Sequence, residues 1–269
     1  MSADKAASRA NDLPVRVISA AVMIAVSVAA AWFGGIGWAV LAAFLMGGVA
    51  YEWGRMISPD ATLLWARALA AAVCGLCFVL LPRVYEVVAA FGFFLTLFGW
   101  SKKAGFWAII GSLYIAASGW ALAGLRGGDE AGRTLLFGLF AICWATDSAA
   151  YAVGRALGGP KLFPIISPNK TWSGSIGGTL AGIFAGIAYA LLSGTDLVSW
   201  AIIGWILAVA CQGGDLLESL AKRYFGVKDA SGMIPGHGGI LDRLDGHLSA
   251  ASTFVFLLIV VPGLKLALT

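Results

Sequence analysis

The chain has 269 residues, 60% of them hydrophobic and only 12% charged, with a mean hydropathy of +0.88 and a net charge of +4. A soluble domain would carry about twice that share of charge. The composition excludes a soluble globular protein and indicates an all-α polytopic integral membrane protein; no nucleic-acid partner is expected.

Residues 1–14 are polar, include Lys5 and Arg9, and are expected to form a cytoplasmic tail. Apolar runs of about 17–25 residues then mark membrane spans. They lie near 15–33, 37–57, 63–81, 84–100, 104–125, 133–154, 173–193, 198–221 and 247–268. That makes about nine transmembrane helices, with eight or ten as the bounds, because the fourth is short and the eighth ends in charges. The first is expected to be retained rather than cleaved, since further spans follow at once. Residues 15–132 form an N-terminal set of spans and residues 133–269 a C-terminal catalytic region, within one membrane unit.

Several features along the way carry ordinary explanations. Glu52 lies within a turn of Arg55 and is expected to pair with it. Glu86 falls near the outer face, as an interfacial residue. Cys74 and Cys77 have CxxC spacing but no polar surroundings, and Cys143 and Cys211 also lie in apolar runs; all four are expected to be buried thiols. Trp32, Trp38, Trp53, Trp65, Trp100, Trp107, Trp172 and Trp200 sit near span ends, as in an interfacial belt.

The sixth span contains Asp147. A carboxylate in an apolar helix should face protein or a wet cavity. It either pairs with a buried cation or stands beside a nucleotide or metal. Residues 155–172 form a loop rich in Gly, Pro and Lys. Its Ser167-Pro-Asn-Lys170-Thr171 precedes a helix, and free amides at a helix start together with a lysine and hydroxyls suit an anion. The spacing is not that of a Walker A loop. In the seventh span Gly174, Gly178, Gly182 and Gly186 recur every four residues and open a groove for close helix packing, within the bundle or across a dimer seam.

Residues 215–245 concentrate the polar chemistry of the chain. Asp215, Glu218 and Lys222 are spaced i, i+3, i+7 and share a helix face. Gly226 and later glycines end that helix, and Pro235-Gly-His237-Gly-Gly239 cannot be regular structure. Asp242 and Asp245 follow at i, i+3. Carboxylates converging from two segments suit a hard cation such as Mg²⁺, and Lys222, Arg223, Lys228 and Arg243 suit phosphate oxygens. This combination indicates metal-assisted phosphoryl or nucleotidyl transfer. His237 either contacts a phosphate, assists proton transfer or makes a structural hydrogen bond; His247 is expected to be interfacial.

Ser219-Leu-Ala-Lys222-Arg223-x4-Lys228-Asp229-x-Ser231-x2-Ile234-Pro235-x-His237-Gly238-Gly239-Ile240-x-Asp242-Arg243-Leu244-Asp245 resembles the signature of the phosphatidate cytidylyltransferases, or CDP-diacylglycerol synthases. Ala221 stands where the family usually has a larger aliphatic residue. Asp147-Ser-Ala-Ala-Tyr151-x2-Gly154-Arg155 and Ser167-Pro168-Asn-Lys170-Thr171-Trp-Ser-Gly174 are similar to a second family region. The resemblance covers the C-terminal half.

It implies that CTP and phosphatidic acid become CDP-diacylglycerol and pyrophosphate. Asp215 and Asp242 would then be metal ligands, with Asp245 and Asp229 as helpers. Lys222, Arg223, Lys228 and Arg243 would bind phosphates, and Ser167, Lys170 and Thr171 would hold one substrate. The resemblance also leaves room for a homodimer and a second, monovalent cation such as K⁺. A CTP-dependent polyisoprenol kinase and an ion-coupled transporter using Asp147 and Asp215 are the competing readings. Of the eighteen Lys and Arg residues, fourteen fall on the side that holds both functional regions. The positive-inside rule therefore puts the N-terminus and the site in the cytoplasm; a bacterial-type inner membrane is the location expected from the resemblance.

Overall fold

A computed structural model describes residues 3–57, 68, 69, 72, 105–234 and 238–269. Helix α1 (Ala3–Phe33) runs without a break from the polar start of the chain into its apolar part, so the expected tail is helical from Ala3. Then come α2 (Gly35–Ile57), α3 (Gly105–Arg126), α4 (Glu130–Leu157), strands β1 (Lys161–Phe163) and β2 (Ser167–Thr171), α5 (Trp172–Ser193), α6 (Leu197–Tyr224), α7 (Leu241–Val260) and the short α8 (Leu264–Leu268). Among the described residues, six helices, α2 to α7, are long and apolar enough to cross a membrane. The spans expected near 63–81 and 84–100 fall almost wholly outside the described residues, as do Cys74, Cys77, Glu86, Trp65 and Trp100.

The boundaries follow local chemistry. Asp129 caps α4 by accepting the Gly132 amide at 2.8 Å, and Gly158, at φ 61°, ends that helix. Asp196 caps α6 through the Ser199 amide at 2.7 Å. The last span differs from expectation. It starts six residues earlier, at Leu241, and stops at Val260, because Pro262 has no amide to continue the helix and Gly263 adopts φ 78°. The chain then turns back, and the Asp196 amide donates to the Ala267 carbonyl at 3.1 Å.

The expected 155–172 loop holds a small antiparallel hairpin, with Lys161 opposite Thr171 and Phe163 opposite Ser167. Consecutive helices α4, α5, α6 and α7 pack as antiparallel neighbours, and α3 lies along α7. The glycine stripe of α5 serves this packing. A Cβ at Gly174 would stand 2.7 Å from the Ala150 carbonyl, and one at Gly178 would stand 2.8 Å from that of Thr146. The stripe faces α4 and α6, inside the bundle. The core is built of Met46, Trp53, Leu136, Leu139, Ile142, Leu207, Leu248 and Phe254. Trp38, Trp53 and Trp200 are buried rather than interfacial. The indole N–H of Trp38 donates to the Leu122 carbonyl at 3.1 Å, and that of Trp53 to the Trp107 carbonyl at 3.2 Å. A buried backbone acceptor thus replaces the headgroup contact that an interfacial indole would make.

Candidate active site

The C-terminal ends of α4 and α6, the N-terminal ends of α5 and α7, and the hairpin meet at one end of the bundle. They enclose a cavity of about 690 Å³. Two close approaches make this convergence possible. A Cβ at Gly214 would stand 2.6 Å from the Asp245 carbonyl, and one at Gly246 would stand 3.1 Å from the Cys211 carbonyl. Glycine at both positions lets α6 and α7 touch backbone to backbone, which brings their acidic side chains together.

Asp215, Glu218 and Asp245 each offer one carboxylate oxygen, and these three atoms lie within 4.8 Å of one another. Glu218 is only 2% exposed, and its Oε1 accepts no hydrogen bond. Its Oε2 accepts from the Lys222 ammonium at 2.8 Å. Lys222 also donates to Asp242 Oδ1 at 2.7 Å, and so ties α6 to α7. The second oxygen of Asp242 accepts the amides of Gly239 at 2.8 Å and Ala230 at 3.1 Å. Asp242 therefore ties Ala230 and Gly239 to the start of α7, while the neighbouring triad points its oxygens at one another. On the far side of α7, the Tyr114 hydroxyl donates to the Asp245 carbonyl at 2.7 Å and fixes that turn.

Three clustered carboxylates, with one oxygen of the buried Glu218 lacking a donor, repel each other when ionised unless a positive charge or a shared proton sits between them. A donor set made only of oxygens matches a hard divalent cation. The residues present thus fit Mg²⁺, with Glu218 rather than Asp242 completing the convergent set.

Cations surround this acidic centre. Lys170, at the end of β2, lies 2.5 Å from Asp215 Oδ2. Arg155, Lys161 and Arg243 also line the cavity. Thr171 caps α5 by accepting the Gly174 amide at 3.1 Å, so the positive end of that helix opens on the same space. Asp147 is exposed to the cavity and accepts the Cys211 thiol at 3.6 Å; among the described residues it has no ion-pair partner.

Of the residues singled out from sequence, Asp147, Lys170, Thr171, Lys222, Asp215, Asp229, Asp242, Arg243 and Asp245 line the cavity. Ser167, Arg223 and Lys228 do not. Ser167 pairs within the hairpin, and the Arg223 guanidinium donates to the carbonyls of Ile166 at 3.4 Å and Val227 at 3.3 Å. His237 lies outside the described residues. His247 sits on the second turn of α7 with its ring edge-on to Phe140, 6.3 Å between centroids. The sequence reading passed over Glu218, Tyr151, Arg155, Lys161 and Gln212 as site residues. Tyr151 and Arg155 follow Asp147 at i+4 and i+8, a spacing that already placed all three on one helix face. Gln212, one turn before Asp215, donates to the Thr179 hydroxyl at 3.0 Å and had no such signal.

A family model described as the cytidylyltransferase family matches residues 14–261 of the chain. The chain is 37% identical over 253 residues to a phosphatidate cytidylyltransferase of Brucella suis biovar 1 (strain 1330), spanning 90% of this chain and 92% of that one. It is 41% identical over 136 residues to the phosphatidate cytidylyltransferase of Bacillus subtilis (strain 168), covering 50% of this chain and 51% of that one. With that of Staphylococcus aureus (strain COL) it shares 43% identity over 122 residues, covering 45% and 47% of the two chains.

Proposed function

The chain belongs to the cytidylyltransferase family, and from that premise we propose that it joins CTP to phosphatidate, forming CDP-diacylglycerol and pyrophosphate for phospholipid synthesis. It is a nucleotidyltransferase built into a membrane. One observation carries the reading from structure: Asp215 and Asp245, with the buried Glu218 behind them, share one end of a membrane bundle with five cationic side chains, Arg155, Lys161, Lys170, Lys222 and Arg243, that line the same cavity. Such a place can meet a lipid phosphate from the bilayer and a nucleotide from water.

An oxygen of the lipid phosphate forms a bond to the α-phosphorus of CTP. The bond from that phosphorus to the oxygen bridging to the β-phosphate breaks, and pyrophosphate leaves with the electron pair. The attacking oxygen is already ionised, so no side chain has to remove a proton. Lys170, Arg155, Lys161 and Arg243 bind the phosphates and stabilise the charge growing on the leaving group. Lys222 holds Glu218 and Asp242 in register. Asp215, Glu218 and Asp245 would hold a Mg²⁺ ion, which when bound neutralises and orients the triphosphate. Asp229, on the same cavity wall, is proposed as a helper ligand.

The same reading places the cavity on the cytoplasmic face of a bacterial-type inner membrane with the N-terminus inside, supported by the skew of Lys and Arg. Nine spans remain the proposed count. The Trp53–Trp107 bond joins the end of α2 to the start of α3, so those two helix ends lie at one face of the bundle. A homodimer would use a face other than the glycine stripe, which is consumed within the bundle.

The test is product stoichiometry. Purified protein in detergent micelles with CTP, Mg²⁺ and phosphatidate should release one pyrophosphate for each CDP-diacylglycerol formed, and none without the lipid. Release of CDP in place of pyrophosphate would instead support the polyisoprenol kinase reading.

A further inference from the structure

Glu52 lies on α2, far in sequence from every residue of the cavity, and it is fully buried. It does not pair with Arg55 as expected; Arg55 is exposed. Its carboxylate is used instead by the segment leading into α7. Oε1 accepts the Ser231 hydroxyl and, at 2.9 Å, the Ile240 amide. Oε2 accepts the Leu241 amide at 2.7 Å. Among the described residues no lysine or arginine pairs with it, so these three donors and the positive end of α7 are what balance its charge.

The arrangement supplies something α7 lacks. Its N-cap residue, Ile240, makes no side-chain capping bond of its own. A carboxylate from another helix takes that role, and it does so immediately before Asp242 and one turn before Asp245. The fit is close. A Cβ on Gly239 would stand 2.7 Å from both Glu52 oxygens, so glycine there admits the carboxylate. One side chain thus fixes Ser231, in the segment before α7, and the axial and rotational position of the first turn of α7.

We infer that Glu52 is a positioning residue for the transfer reaction: it reaches from the N-terminal spans and holds the first turn of α7 where Asp242 can clamp Lys222 and Asp245 can join the triad. The inference rests on the proposed function of this cavity. It also gives the 15–132 region a part in the chemistry of the 133–269 region.

The experiment compares the parent with E52Q, E52A and S231A in one detergent, by melting temperature, hydrogen exchange of the Ile240 and Leu241 amides, and steady-state kinetics per folded molecule. E52Q keeps one acceptor and the side-chain volume, so it should fold, lose about tenfold in kcat, and change the KM for CTP by less than about threefold. E52A should lose more than E52Q, and its two amides should exchange about tenfold faster while later turns of α7 stay protected. S231A removes a single donor and serves if both Glu52 variants fail to fold; a loss of about threefold in kcat is expected. Folded E52Q with kcat within about twofold of the parent would overturn the inference, as would S231A at parental kcat if neither Glu52 variant folds. An inactive parent would count against the proposed function instead.

Discussion

Glu218 shows how burial can mark a functional group. Its Oε1 has no donor, its other oxygen is tied to Lys222, and Asp215 and Asp245 stand within 4.8 Å. If these three carboxylates hold the metal, D215N, E218Q and D245N should each lower kcat by at least about 100-fold, roughly 2.7 kcal/mol of transition-state stabilisation, while the protein still inserts and melts cooperatively. An E218Q enzyme retaining more than about a tenth of parental kcat at saturating Mg²⁺ would remove Glu218 from the set. Asp147 makes a different claim. It faces the cavity without an ion-pair partner among the described residues, so D147N should keep the parental melting temperature and lose about tenfold in kcat/KM for CTP. A destabilised D147N with unchanged kinetics would make it a structural residue. The face shared by Asp215, Glu218 and Lys222 was legible from their i, i+3, i+7 spacing. What the spacing could not show was which carboxylate on α7 would complete the set. Asp242 and Asp245 are one turn apart, and only the packing of α6 on α7 at Gly214 and Gly246 decides between them.

Helix ends and glycine faces place these residues. Thr171 caps α5, is buried, and sits beside Lys170, so T171A should cost about 1 kcal/mol of stability and also weaken CTP binding. Unchanged melting temperature and KM in that variant would contradict the account of the hairpin. G178L should prevent assembly of α5 against α4, because its side chain would meet the Thr146 carbonyl and Ala150; a normally folded G178L would contradict the packing described. At the opposite end, Asp196 caps α6, and hydrogen bonds from the Ser199 hydroxyl and the Ser199 amide hold its carboxyl below the usual carboxylate range. The cap therefore stabilises the protein above that range and ceases to do so as pH falls through the lowered value. The difference in melting temperature between parent and D196A should close as the solution is acidified; a difference that widened would be inconsistent with this sign. Elements were largely legible where a long apolar run met a capping residue, as at Asp129, Asp196 and Gly194. The last span was displaced because hydropathy counts Pro262 and Gly263 as permissible in a run that the backbone breaks, and because the acidic first turn of α7 does not look apolar. The hairpin was missed because strands of three and five residues leave no periodic trace.

At the scale of the whole molecule, polar chemistry is gathered at one end of an apolar bundle, and that asymmetry was legible in the skew of Lys and Arg. The long-range tie from Glu52 to α7 was not, since a sequence places Glu52 next to Arg55 and says nothing of residues 188 and 189 positions away. The topology has its own check. Single cysteines at positions 161 and 228 should react with a membrane-impermeant reagent only from the cytoplasmic side, and labelling from outside would reverse the orientation. The central claim is nucleotidyl transfer to a lipid phosphate, and the position of a radiolabel tests it most directly. With purified protein, phosphatidate micelles and Mg²⁺, phosphorus-32 in the α-position of CTP should appear in the lipid product and label in the γ-position should appear in pyrophosphate. Lipid carrying the γ-label, or no label in lipid from either position with folded protein, would contradict the account.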